Sequence, residues 1–115
     1  MRMVHAPLLA TFPNRVINIH PALLPSFQGA HGIQDAFDRG VKVTGVTVHI
    51  ANAVYDMGPI IAQRALVVEE DWDVDTLEEH IHAIEHVLYP EVAQMLADGR
   101  VHVRENLTVE VRPLE

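Results

Sequence analysis

Asn18 and His20 stand two residues apart at the end of the apolar run Arg15-Val16-Ile17-Asn18-Ile19-His20, which Pro21 stops. In an extended strand, residues i and i+2 point to one face, so the amide and the imidazole would share a side. An imidazole titrates near neutral pH and can shuttle a proton, while an amide N–H can donate to an oxygen gaining negative charge. The pair therefore suits acyl chemistry through a tetrahedral intermediate. The same residue types also end strands by simple backbone hydrogen bonding, so the pair is not decisive alone.

A carboxylate follows in Asn52-Ala53-Val54-Tyr55-Asp56-Met57-Gly58, a stretch with turn chemistry. If that loop folds over His20, Asp56 would favour the imidazolium. An aspartate in such a loop also commonly caps a turn, and spacing does not bring residues 20 and 56 together. His82 and His86, with His80 nearby, share the i, i+4 spacing of helical metal ligands. They lack the glutamate placement of the protease-type helix and fall outside the apolar stripe, so no metal is expected. On the same grounds Glu78, Glu79 and Glu85 read as a solvated face.

The elements that must position these groups are readable. Residues 15–20 form a buried strand, and the Pro- and Gly-bounded segment after it an ordered loop. Gly32 to Arg39 predicts a short helix with Ile33, Ala36 and Phe37 on one face, closed by Gly40. Lys42 to Ala51 predicts a strand with Val46, Val48 and Ile50 on one side and Thr47 and His49 on the other. Pro59 to Val68 predicts another. A capping box at Asp75-Thr76-Leu77-Glu78 opens a long helix with its stripe at Leu77, Ile81, Ile84, Leu88, Val92 and Met95. Pro90 should kink it and Gly99 should end it. The tail from Val101 to Val111 alternates weakly and suggests one or two edge strands.

Composition narrows the classes. With 115 residues the chain is a single domain, 49% hydrophobic and 21% charged, which suits a globular core. Eight Lys+Arg against sixteen Asp+Glu give a net charge of −8, which disfavours a nucleic-acid partner, since counterion release needs clustered cations. There are no cysteines, so disulfides and thiolate metal sites are excluded. No apolar run approaches a membrane span and no secretory signal opens the chain, so a soluble cytoplasmic protein is expected.

Three strings carry a resemblance. Asn18-Ile19-His20-Pro21-Ala22-Leu23-Leu24-Pro25 resembles the signature of folate-dependent formyltransferases. Gly45-Val46-Thr47-Val48-His49, followed by Asp56-Met57-Gly58-Pro59-Ile60-Ile61, is similar to the family's second signature. Glu85-His86-Val87-Leu88-Tyr89-Pro90 and Ala97-Asp98-Gly99-Arg100 resemble the phosphoribosylglycinamide branch of that family. The likeness runs from Met1 to about Arg112.

That resemblance implies an α/β fold, the C-terminal half of a Rossmann-like formyltransferase domain, with a mixed sheet and one long C-terminal helix. The strand at 15–20 would lie in its parallel part, and those at 42–51 and 59–68 would bring antiparallel pairing. It also implies transfer of a formyl group from 10-formyltetrahydrofolate, as cosubstrate, to the amine of glycinamide ribonucleotide. Asn18, His20 and Asp56 match the catalytic positions. Met1, Arg2, Met3 and Val4 match the segment whose backbone grips the pterin, with Asn18 also at the folate. Leu9, Val16 and Ala51 match its apolar pocket. Glu85 matches a carboxylate that contacts the substrate ribose, which lifts it out of the solvated face. His31 and His49 match histidines read as structural support.

One departure is large. The family's nucleotide-binding half, with a glycine-rich phosphate loop, has no counterpart between residues 1 and 115, and no Gly-x-Gly occurs. The chain is therefore expected to be part of a longer protein, to bind glycinamide ribonucleotide poorly and turn over negligibly by itself, and to self-associate through apolar surface. Three other readings compete. A formyltetrahydrofolate deformylase would share the catalytic residues, but Pro21-Ala22 and the Glu85-His86 and Tyr89-Pro90 segment argue against it. A methionyl-tRNA formyltransferase would show basic residues where Ser26-Phe27-Gln28 stands. A non-catalytic half-domain that only associates with another chain is the third.

Overall fold

The computed structural model describes residues 17–26, 30–51 and 58–113. The strands β1 (Ile17–His20), β2 (Val43–Ile50) and β3 (Ile60–Val67) form one sheet in the order β1-β2-β3. Helix α1 (Gly32–Arg39) lies between β1 and β2, and helix α2 (Val74–Ala97) follows β3. A separate hairpin of β4 (Val101–Val103) and β5 (Val109–Val111) closes the chain, with β5 against β3. The tail alternation thus resolves into two short paired strands.

Both pairings in the three-stranded sheet are antiparallel. The strand at 15–20, expected in a parallel region, is described from Ile17 and meets β2 antiparallel. Because β2 runs against both neighbours, a parallel partner for β1 has to lie on its other edge.

Register divides the sheet into two chemistries. Ile17 faces Ile50 and Ile19 faces Val48, while Asn18 faces His49 and His20 faces Thr47. Directly opposed residues share a face. The alternation expected for β2 therefore continues across β1, giving an apolar side and a polar side. Ile17, Val46, Val48 and Ile50 join Ile61 of β3 and Leu77, Ile81, Leu88 and Val92 of α2 in the core. The expected helical stripe is the observed one, with Ile84 and Met95 half-buried at its margin. Completely burying a leucine-sized side chain contributes about 1.5–3 kcal/mol, so this cluster holds α2 to the sheet.

The ends of the helices obey local chemistry. Gly40 (φ +76°) closes α1 by donating to the Phe37 carbonyl while Val41 donates to that of Ala36. Gly99 (φ +70°) repeats the arrangement after α2, with Gly99 bonding Leu96 and Arg100 bonding Met95. This left-handed exit costs a glycine least. At the start of α2 the cap is Asp73, not Asp75: its carboxylate accepts from the Thr76 amide at 2.8 Å. The earlier start puts Trp72 just outside the helix, where it stacks on His80 with ring centroids 4.1 Å apart. Trp72 also packs against the core cluster that includes Leu77, the two residues standing at the positions of a hydrophobic staple.

The helix continues through Pro90. The ring removes the bond to the His86 carbonyl, and His86 is exposed, so water can take that role. Among the described residues no helix is long and apolar enough to cross a membrane.

Candidate active site

Asn18 and His20 sit where the alternation predicts, on the polar side at the end of β1. His20 is fully buried and Asn18 half-buried. Beside them on β2 lie Thr47 and His49, both fully buried. The His49 ring contacts the Ile50 carbonyl through Nδ1 at 3.0 Å, a contact that requires the proton on Nδ1. That bond fixes the ring's orientation.

The approach to β3 at Gly58 and Pro59 is tightly constrained. Ile50 donates its amide to the Pro59 carbonyl at 2.8 Å. A Cβ on Gly58 would lie 1.5 Å from the Ile50 carbonyl oxygen and 3.3 Å from His49 Nδ1, so only glycine fits between them. The register shift at Val48/His49 falls at this point.

Helix α2 contributes Glu85, whose side chain is 17% exposed. Burial pushes its carboxyl above the ordinary glutamate value, and His82, His86 and His20 pull the other way. The helix that carries Glu85 packs against β1. His82 Nε2 lies 3.7 Å from Glu85 Oε1. Glu85 is thus half-buried, not part of the solvated face where spacing alone would leave it.

His80, considered for a metal, is occupied by the Trp72 stack and by the Thr76 carbonyl at 2.9 Å from Nδ1. Among the described residues no group of three or more histidines and carboxylates is arranged around a metal position. His31 is exposed at the start of α1, where its carbonyl accepts from the Asp35 amide at 2.9 Å. A cavity of about 230 Å³ runs between it and Pro21, Glu78 and His82. Ala51 is buried just beyond β2. Asp56, Met1, Arg2, Met3, Val4, Leu9 and Val16 lie outside the described residues.

Two residues beside the site were given no role from the sequence, although Thr47 stands within the second family string. Thr47 donates its hydroxyl to the Ala22 carbonyl at 2.7 Å and accepts from the Leu24 amide at 3.1 Å. Gln63 of β3 donates to Thr47 Oγ1 at 3.0 Å and to the Leu24 carbonyl at 2.9 Å. The available signal was the position of Thr47 on the same side of its strand as His49. Gln63 sits in an apolar run and gives none.

Comparison with known proteins settles the family. The model of the family described as formyl transferase matches residues 1–93. The chain belongs to the formyl transferase family. It is similar to phosphoribosylglycinamide formyltransferase of Bacillus subtilis, with 45% identity over 84% of this chain and 49% of the relative. The crystal structure of glycinamide ribonucleotide transformylase 1 from Symbiobacterium toebii superposes with a TM-score of 0.91 at 44% identity. That match covers 98% of this chain and 53% of the other, so the α/β arrangement of sheet and long helix is the family's. Formyltetrahydrofolate deformylase of Haemophilus influenzae is also similar, at 36% identity over 95% of this chain and 39% of the relative. The chain spans about half the length, or less, of the relatives it matches.

Proposed function

We propose that this chain carries the formyl-transfer portion of a phosphoribosylglycinamide formyltransferase, a soluble cytoplasmic enzyme of purine synthesis. It would act together with the nucleotide-binding portion that completes the fold in its relatives. The supporting observation is the polar side of the sheet: Asn18 and His20 on one face at the end of β1, with the half-buried Glu85 on α2, which packs against β1.

In this reading the amine of glycinamide ribonucleotide attacks the formyl carbon of 10-formyltetrahydrofolate. A carbon–nitrogen bond forms and the carbonyl electron pair moves onto oxygen. Asn18 and the protonated His20 donate to that oxyanion, the placement that makes preorganised donors effective. The intermediate collapses by breaking the bond between the formyl carbon and folate N10. The proton lost by the amine ends on N10, relayed by a water that Asp56 orients, and Asp56 also favours the charged imidazole. Backbone of Met1–Val4 and the side chains of Leu9, Val16 and Ala51 would hold the folate, and Glu85 the ribose of the acceptor.

The 45% identity to the Bacillus subtilis glycinamide enzyme exceeds the 36% to the Haemophilus influenzae deformylase, which supports the amine over water as acceptor. The test is formyl transfer to glycinamide ribonucleotide, measured for the chain alone and for the chain joined to the portion of the Bacillus subtilis relative that it does not cover. Transfer by the joined protein is expected. Formate release in place of transfer would move the assignment to the deformylase reaction, and neither activity would leave only the associating half-domain.

A further inference from the structure

His20, Thr47 and Gln63 form one row across the three strands, His20 opposite Thr47 and Thr47 opposite Gln63. The row ends in a set of bonds to the chain that leaves the histidine. Pro21 cannot donate a backbone hydrogen bond to the sheet, so the segment after His20 needs another anchor. The Thr47 hydroxyl supplies it, with its single proton on the Ala22 carbonyl and its oxygen accepting from Leu24 and Gln63. Those bonds use the full capacity of a hydroxyl. Gln63 closes the ring by donating also to the Leu24 carbonyl, so Leu24 is held through both its amide and its oxygen. Ala22 and Leu24 are buried, so bonds lost there are not readily replaced by water.

We propose that Thr47 and Gln63 are positioning residues for His20. Their clamp on Ala22 and Leu24 fixes the backbone exit of the histidine, and with it the angle at which the ring meets the oxygen Asn18 faces. The inference rests on the proposed role of His20 in formyl transfer. It adds that the rate depends on a β3 residue whose side chain bonds the loop and does not touch the reacting atoms.

The test uses the joined protein for kinetics and the chain itself for NMR. Thr47→Val keeps the shape of the side chain and removes the hydroxyl. It is expected to lower kcat by about ten- to a hundredfold, the scale of a misplacement near 1 Å, with KM for the folate within about twofold. Thr47→Ser restores kcat. Gln63→Met, at an exposed position that leaves the core intact, gives a smaller loss in the same parameter. An unchanged kcat in Thr47→Val, or failure of Thr47→Ser to restore it, overturns the proposal. If the parent shows no formyl transfer, the functional reading fails separately. The clamp is then judged on the Leu24 amide, whose hydrogen exchange should accelerate in Thr47→Val and Gln63→Met, with a shift of the His20 ring resonances. No change in either signal refutes it.

Discussion

Gly58→Ala is the substitution with the most direct consequence for the site. Real Cβ atoms do not come within 3.0 Å of such neighbours, yet this one would sit 1.5 Å from the Ile50 carbonyl oxygen and 2.7 Å from its carbon. Both nearest atoms are backbone, so no side-chain rotation relieves the overlap, and the two segments must part by about 1.5 Å. Overpacking of this kind costs about 1–3 kcal/mol, and loss of the bond from Ile50 to Pro59 adds about 1 kcal/mol. Each kcal/mol lowers the Tm of a domain near this size by about 4 °C, so a fall of roughly 10 °C is expected. Gly40→Ala is the control: its φ of +76° disfavours a side chain, but nothing lies within 4 Å of the new Cβ. It should cost only about 1 kcal/mol. Calorimetry on the two variants measures the difference. In the joined protein Gly58→Ala should also lose about a hundredfold in kcat, because the displaced strand start carries the end of the segment holding Asp56. A Gly58→Ala protein that melts with Gly40→Ala and keeps its rate would refute the close approach at Ile50 and its bearing on catalysis.

Other outcomes follow from the same contacts. Leu88→Ala, at a position 1% exposed in the core, should destabilise by about 2–5 kcal/mol in urea unfolding. The Asp73 carboxyl is held below its usual value by the Thr76 amide. Its contribution is therefore complete above the unfolded-state pKa and is lost as pH falls through the folded one. Asp73→Ala should lower Tm at pH 7 and close the gap to the parent in acid. Glu85 has the opposite sign. Burial raises its folded value, so the carboxylate opposes folding at neutral pH, and that penalty fades as pH falls through the folded pKa. Glu85→Gln should be at least as stable as the parent at pH 7 while raising KM for glycinamide ribonucleotide. A loss of stability with unchanged KM would remove Glu85 from the acceptor site.

What the sequence revealed followed from periodicity. The stripe of α2, the closure of α1 by Gly40 and the two-sided β2 are all local patterns with one physical solution, and each appears where it was expected. The cap of α2 was misplaced because Asp71, Asp73 and Asp75 recur at every second residue and a glutamate follows Asp75 at the spacing of a capping box. Packing chose among them: a start at Asp73 lets Trp72 lie against the core and over His80. Glu85 shows the complementary case. By spacing it belongs with the exposed carboxylates, and its half-buried place depends on how α2 packs against the sheet. The bonds of Gln63 to a loop 39 positions away, and the close fit of Gly58, depend on sheet register, which no local window contains.

The division of the sheet into an apolar and a polar side ties chemistry to folding in a further way. A slip of β1 by one residue against β2 would turn Ile17 and Ile19 toward the site and bury Asn18 and His20 among Val46, Val48 and Ile50. Such a slip would lose the core contacts that hold α2 and place an amide and an imidazole in hydrocarbon. The register that arms the histidine is thus the register that makes the sheet stable. Misassembled protein of this kind should be recognisable as unfolded or aggregated material, open to proteolysis, instead of persisting as a folded and silent competitor for substrate.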